Sequence, residues 1–143
     1  MRTVTPVILA AGLGVRFGGD VPKCLATVDG RPLLAHAFRA LKAAGFESVH
    51  LVVGYKADVI EAWLNASPAP VAVSLVRNPD YARRSIHSFH CAARVVQGPI
   101  LLIEGDLLYG PQIIKDLCAD ERPDLVPCGP IRQPRPWLIE RGP

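Results

Sequence analysis

Four apolar runs rich in β-branched residues punctuate the chain: "TVTPVILA" (residues 3–10), "SVHLVVGY" (Ser48–Tyr55), "VAVSLV" (Val71–Val76) and "PILLIEGD" (Pro99–Asp106). Helical patterns separate and follow them. Leu34, Ala37, Leu41 and Ala44 keep the i, i+3, i+7 spacing of an amphipathic helix that Gly45 closes. Asp29-Gly30 marks a tight turn ahead of it, and Pro32 suits its first helical position. Lys56–Leu64 repeats the pattern with Val59, Ile60 and Trp63 on one side. A polar loop, "RNPDYARRS", leads into a short helix around Ile86–Val95, and "GPQIIKDLCAD" begins another with Pro111 near its start. Strand–helix alternation on this rhythm predicts an α/β fold, a mainly parallel sheet between two helical layers. The first strand should end near Leu9, with Pro6 at its start or on an edge. The fourth, apolar throughout from Ile100 to Ile103, should be covered on both faces.

At 143 residues the chain fits one domain with a real core. Half of it is apolar and a fifth charged, the balance of a soluble globular protein. A net charge of +3 without a Lys/Arg block argues against a long nucleic-acid footprint and suits the phosphates of a small molecule. No run approaches membrane-spanning length and the start lacks the apolar core of a signal peptide, so no membrane association and a cytoplasmic location are expected. Cys24, Cys91, Cys118 and Cys128 form no CxxC pair and are expected as reduced thiols. His87 and Cys91 share a helical face, but ordinary helix residues outweigh metal ligation there. Glu121–Pro143 holds six of the fourteen prolines. The expected organisation is a domain over 1–120 and an irregular proline-rich tail over 121–143, with a short strand conceivable at Asp124–Val126.

The first apolar run passes directly into glycines 12, 14, 18 and 19, with Arg16 and Lys23 framing the loop. Glycines let backbone N–H groups approach a ligand without a Cβ in the way, and successive N–H groups form a concavity for anions. Arg16 offers a planar fork to phosphate oxygens and Lys23 a compact charge. In an open α/β sheet this loop lies where ligands bind, beyond the carboxyl ends of the strands. Two familiar loops are excluded. G-x-G-x-x-G would need glycine at Phe17, and the P-loop would need Gly-Lys-Ser/Thr, whereas Lys23 stands between Pro22 and Cys24. A response-regulator-like module is disfavoured because the acidic cluster it needs after the first strand is absent.

"LAAGLGVRFGGDVPK" resembles the signature loop of the nucleotidyltransferases that make sugar nucleotides and related activated alcohols, the family of MobA-like NTP transferase domains. The similarity continues through "CLATVDGRPLLAHAFRALKAAG", "NPDY…SIHSF" and "ILLIEGD", covering about residues 3–118. It implies a Rossmann-like, GT-A-like nucleotidyltransferase core. It also implies attack of a phosphate or phosphonate oxygen on the α-phosphorus of an NTP, with pyrophosphate released. Leu9, Ala10, Ala11, Gly12 and Gly14 would then bind the nucleotide. Arg16 would clamp the β and γ phosphates, and Lys23 would stabilise charge on the α-phosphate.

Asp106 ends a buried run and should emerge at the same sheet edge as the loop. A carboxylate there suits Mg²⁺, the expected cofactor, and the resemblance favours this metal role over that of a helix cap. Strand alternation puts Glu104 on the same side, as a supporting group. By resemblance Ser88 contacts the base, with a helix-start hydroxyl as the alternative. Gly54 fits a close approach near the base. Asn78 and Tyr81 border the acceptor or are solvated turn residues. Arg83-Arg84 is read as a solvated pair, although it could attract an anionic acceptor.

"NPDY…S" followed by "EGD" resembles the cytidylyltransferases acting on phosphocholine or 2-aminoethylphosphonate, which favours CTP; sugar-1-phosphate enzymes share the loop. A cationic amine would want an aromatic or acidic cage, and of the aromatics only Tyr109 is expected near Asp106. Members of the family run longer. Their second half carries further strands, acceptor contacts and a second metal-binding Asp, which "CGPIRQPRPWLIERGP" does not match. The expected alternative to an active enzyme is therefore a truncated, inactive nucleotide-binding or partner-binding module. A shortened sheet would favour a homo-oligomer through its exposed edge.

Overall fold

In the computed structural model, which describes residues 3–12 and 20–121, the four apolar runs become four strands of one parallel sheet. In chain order the elements are β1 (Thr5–Ala10), a 3-10 turn (Lys23–Leu25), β2 (Thr27–Val28), β3 (Arg31–Pro32), α1 (Leu33–Ala43) and β4 (Ser48–Val53). They continue with α2 (Ala57–Ala66), β5 (Ala72–Arg77), α3 (Ser85–Ala93), β6 (Ile100–Glu104) and α4 (Pro111–Ala119). The sheet order is β5-β4-β1-β6, with every pairing parallel. Arg16 and Gly14, the tail beyond 121 and the strand conceived at Asp124–Val126 lie outside the described residues.

The period of two along β1 divides the core. Ile8 and Ala10 face a layer built by α1, α2 and α4, where Leu34, Phe38, Leu41, Ile60 and Ile114 are buried. Val7, Leu9 and Ala11 face α3 through Ala92, with Val96 beyond it. This is the expected three-layer α/β/α arrangement. The ring of Trp63 stacks on Phe38 at 6.3 Å between centroids, tying α2 to α1.

Pro6 sits at the start of a central strand. The register of β4 begins only at Val7, so the N–H that proline lacks has no β4 residue opposite it. Asp29 (φ 50°) and Gly30 (φ 72°) both occupy the left-handed region, the requirement of a two-residue turn, and join β2 to β3. The helix after this hairpin starts one residue later than expected. Pro32 (φ −56°, ψ 145°) is extended and stands before the helix, leaving Leu33 as its first residue. Gly45 (φ 98°) closes α1, with its own N–H donating to Lys42 and that of Phe46 to Leu41.

Two burial expectations are corrected. Val59 is 43% exposed, because α2 packs through Ala57, Ile60 and Trp63, and Val59 lies a helical step away from that stripe. Leu102 is 44% exposed, so among the described residues its face of β6 is covered only at Ile100, which packs against the α3 side. Leu101 and Ile103 enter the core with α4, while α3 lies over β1 and β4 and, among the described residues, leaves Leu102 open.

Strand order also locates the site. The chain steps outward from β1 through β4 to β5, then returns to place β6 on the opposite flank of β1. The carboxyl ends of β1 and β6 therefore bound the crevice at which the winding reverses, the place where open α/β sheets bind ligands.

Candidate active site

At that crevice a cleft is lined by Leu9, Ala10, Ala11 and Gly12 from the end of β1, and by Glu104, Gly105 and Asp106 from the end of β6. Lys23 and Cys24 close one part of it, and Tyr81, Arg83, Ser85 and Ser88 contribute from the loop and helix after β5.

The two strand ends are held together by Gly105. Its N–H donates to the carbonyl of Leu9 at 2.9 Å, extending the ladder one residue beyond β6. A Cβ on Gly105 would come within 2.8 Å of that same oxygen. Glycine is thus demanded by close approach, and this holding role was missed from sequence, although the glycine inside "EGD" was its signal. The N–H of Glu104 donates to the Tyr109 hydroxyl at 3.2 Å.

Lys23 reaches the mouth of the cleft because the 3-10 turn sinks its neighbours into the core. Cys24 and Leu25 are buried in the core, and the 3-10 turn is fixed by Leu25 N–H on Pro22 and Ala26 N–H on Lys23. The ammonium left at the mouth donates to Asp106 Oδ2 at 2.5 Å. Burial pushes the Cys24 thiol up to about 12, with Asp106 adding to the rise, so this cysteine is an inert wall. Desolvation raises the Glu104 carboxyl above its ordinary range, reinforced by the charge of Asp106 and opposed by Lys23. Burial likewise raises the Tyr109 phenol.

The second side of the cleft rests on Asn78, which is 2% exposed. Its Nδ2 donates to Ser88 Oγ at 2.9 Å, its Oδ1 accepts the Asp80 N–H at 2.9 Å, and its N–H donates to Val53. Neither expectation for Asn78 describes this geometry. It is not a solvated turn residue, and its amide is spent on holding Ser88 and the 78–81 turn instead of facing the cleft. Ser88 does line the cleft and is buried. Gly54 is not in the lining; the space a side chain would need is filled by Tyr81, whose Cβ would lie 2.4 Å from a Cβ at Gly54. Tyr81 itself lines the cleft with Asp106 and is flanked by Tyr55, ring centroids 6.1 Å apart. Tyr109 is therefore not the only aromatic near Asp106. Arg83 reaches the cleft, and Arg84 does not line it.

The donor set suits a hard divalent cation. Asp106 and Glu104 bring two carboxylates to one crevice, where Mg²⁺ would use one or two of them with water and phosphate oxygens completing its shell.

The fold is the Rossmann-like, GT-A type that solved nucleotidyltransferases share. More narrowly, the chain belongs to the family of MobA-like NTP transferase domains, whose family model matches residues 6–141. It is 34% identical over 120 residues to CMP-5'-(3-aminopropyl)phosphonate synthase of Streptomyces rubellomurinus, covering 81% of this chain and 19% of that protein. It is 35% identical over 126 residues to the bifunctional protein GlmU of Halorhodospira halophila, covering 86% of this chain and 26% of that protein. Among solved structures it is similar to the inositol-1-phosphate CTP transferase of T. maritima, with a TM-score of 0.69 and 28% identity over 85% of this chain and 52% of that one. The CTP:phosphocholine cytidylyltransferase LicC of Streptococcus pneumoniae gives 0.63 and 25% over 76% of this chain and 50% of that one. The chain thus spans about half the length of these structures, and about a fifth to a quarter of the curated relatives. Among the described residues no helix is long and apolar enough to cross a membrane.

Proposed function

We propose that this chain carries the nucleotide site of an Mg²⁺-dependent nucleotidyltransferase that joins CTP to a small phosphate monoester or phosphonate and releases pyrophosphate. The observation that carries the reading is the convergence of Lys23, Asp106 and the Leu9–Gly12 backbone at one crevice. An acceptor oxygen attacks the α-phosphorus, and the bond to the β-phosphate oxygen breaks as pyrophosphate departs. Both reactants are anions, so the work is charge neutralisation and in-line positioning. Lys23 stabilises the charge that builds on the α-phosphate. Arg16 neutralises the leaving phosphates, and the backbone from Leu9 through Gly12 and Gly14 seats the nucleotide, with Ser88 toward the base. Asp106, with Glu104 beside it, would hold Mg²⁺, which would supply Lewis-acid screening of the phosphates.

An amine-bearing acceptor, phosphocholine or 2-aminoethylphosphonate, is favoured over a sugar-1-phosphate. The Tyr81 ring and the Glu104 carboxylate give the cleft the aromatic and acidic groups that an ammonium attracts. Two similar proteins, the CMP-5'-(3-aminopropyl)phosphonate synthase and the CTP:phosphocholine cytidylyltransferase LicC, support the same choice.

The test is pyrophosphate release from CTP, UTP and GTP against phosphocholine, 2-aminoethylphosphonate and a set of sugar-1-phosphates, with and without Mg²⁺. CTP with an amine-bearing acceptor is expected to give the highest kcat/KM. Binding of CTP with no pyrophosphate from any acceptor would overturn the enzymatic reading and leave a nucleotide-binding module.

A further inference from the structure

Among the described residues, two cationic side chains line the cleft, Lys23 and Arg83. Lys23 is engaged with Asp106. Arg83 forms no ion pair with any described residue. Its sequence neighbour differs. Arg84 precedes α3 as the cap residue, makes no side-chain bond to the helix and does not line the cleft. The structure thus splits the Arg83-Arg84 pair and brings only one guanidinium to the site.

A run of hydrogen bonds from the sheet fixes where Arg83 stands. The carbonyl of Val53, at the end of β4, accepts the Asn78 N–H at 2.8 Å. Asn78 Oδ1 accepts the Asp80 N–H at 2.9 Å, and the Asp80 carbonyl accepts the Arg83 N–H at 3.0 Å. Within this turn Tyr81 fills the space left at Gly54 and enters the same cleft. An aromatic ring and a guanidinium two residues apart are therefore presented together on a turn anchored to β4. A binding group held in this way costs less to order when the ligand arrives.

Charge decides what an uncommitted guanidinium is for in this cleft. The reaction brings two anions together, and a phosphate monoester carries a charge of about −1.5 to −2 at pH 7. Lys23 serves the reacting phosphate of the nucleotide, and Glu104 and Asp106 add acidic groups to the same space. The second anion needs a cation of its own, and the planar fork of arginine matches phosphate oxygens with two parallel hydrogen bonds.

We propose that Arg83 binds the phosphate or phosphonate group of the acceptor while Tyr81 receives its ammonium, so that one turn recognises both ends of a short zwitterion. The inference rests on the reading of the cleft as a nucleotidyltransferase site, and it assigns the acceptor subsite to the turn after β5. Arg83 offsets the repulsion between the two phosphates and contributes to acceptor affinity, not to nucleotide affinity.

The experiment compares the 143-residue chain with Arg83→Gln, Arg83→Lys and Arg84→Gln. Calorimetry reads CTP affinity with Mg²⁺ present. It then reads the affinity for phosphocholine and 2-aminoethylphosphonate of the chain saturated with a non-hydrolysable CTP analogue. Arg83→Gln should weaken acceptor binding by about 30-fold and leave CTP affinity unchanged. Its Tm should stay within about 2 °C of the parent's, because the side chain is exposed and has no ion pair to lose. Arg83→Lys should recover part of the loss, keeping the charge without the fork. Arg84→Gln should bind both ligands as the parent does. An Arg83→Gln variant with the parent's acceptor affinity overturns the inference and leaves the nucleotide reading standing. So does one whose CTP affinity falls as much as its acceptor affinity, or an equal loss in Arg84→Gln, which would mark a diffuse charge effect. A parent chain that binds CTP but neither acceptor also overturns it. Failure of the parent to bind CTP, UTP, GTP or ATP overturns the nucleotide reading itself, and this inference with it.

Discussion

Lys23 and Asp106 are separated by 83 residues of chain, yet the ammonium of one donates to Oδ2 of the other at 2.5 Å. Both side chains remain partly open to solvent, at 38% and 29% exposure. An ion pair so placed contributes at most about 1 kcal/mol to folding. Each group is therefore available for exchange with charged ligands, the ammonium for a phosphate oxygen and the carboxylate for a cation.

Lys23→Ala separates catalysis from stability. Denaturant unfolding should shift by less than about 1 kcal/mol. Turnover should drop by about 100-fold or more, the usual consequence of losing a preorganised charge at a reacting phosphoryl group. Pyrophosphate release and urea melts on the same preparation check both halves. A large stability loss with unchanged turnover would remove Lys23 from the site.

Asp106→Asn keeps the volume and removes the charge. Nucleotide binding should lose its dependence on Mg²⁺, seen as a flat response when CTP affinity is measured across a magnesium titration. An unaltered titration would exclude Asp106 as the metal ligand.

Gly105→Ala and Gly30→Ala should both destabilise, for different reasons and by different amounts. At Gly105 the added methyl meets the Leu9 carbonyl and the side chains of Ala10 and Ile8, backbone and core that cannot easily yield. The cost should be at the upper end of overpacking, about 3 kcal/mol, with Asp106 displaced and turnover reduced. At Gly30 nothing lies within 4 Å, so only the left-handed backbone penalty of about 1 kcal/mol applies and turnover is kept. Thermal or urea unfolding of the two variants measures the contrast.

Cys24 should stay unmodified by iodoacetamide at pH 8 in the folded chain while the partly exposed Cys91 is alkylated, as peptide mapping would show. The thiol titrates about 12 in the fold against 9.0 in the unfolded chain, so between these values the native state binds more protons. Its contribution to stability is intact below pH 9 and is lost as pH rises toward 12, at up to about 1.4 kcal/mol per pH unit. Cys24→Ala should flatten that part of the alkaline unfolding profile. A profile identical to the parent's would show that the thiol is not held protonated by burial.

The fold was legible because its determinants are local. Four apolar runs, the i, i+3, i+7 stripe of α1, the Asp29-Gly30 turn and Pro111 at the start of α4 each act over a few residues, and their alternation specifies a parallel sheet. The Leu9–Gly12 loop entrance, Lys23 and Asp106 were expected at the strand ends from the motif that holds them, and the structure brings them to one crevice. Burial at the sheet's flank was not legible. Leu102 sits in an unbroken apolar run, and only the placement of α3 over β1 and β4 leaves it open.

Other features depend on which distant segments meet, and a pattern of spacing carries no such information. Asn78 looked like a turn residue at the surface. The return of α3 over the sheet buries it and turns its amide onto Ser88. Gly54 and Gly105 are glycines for room, and the intruders, Tyr81 and the Leu9 carbonyl, lie on other parts of the chain. Residues 7–25 by themselves set the expectation of an anion site after the first strand. That Lys23 meets Asp106, and that Lys56 holds Asp20, was decided by the order in which β1, β4 and β6 pair, because that order alone brings these side chains within reach.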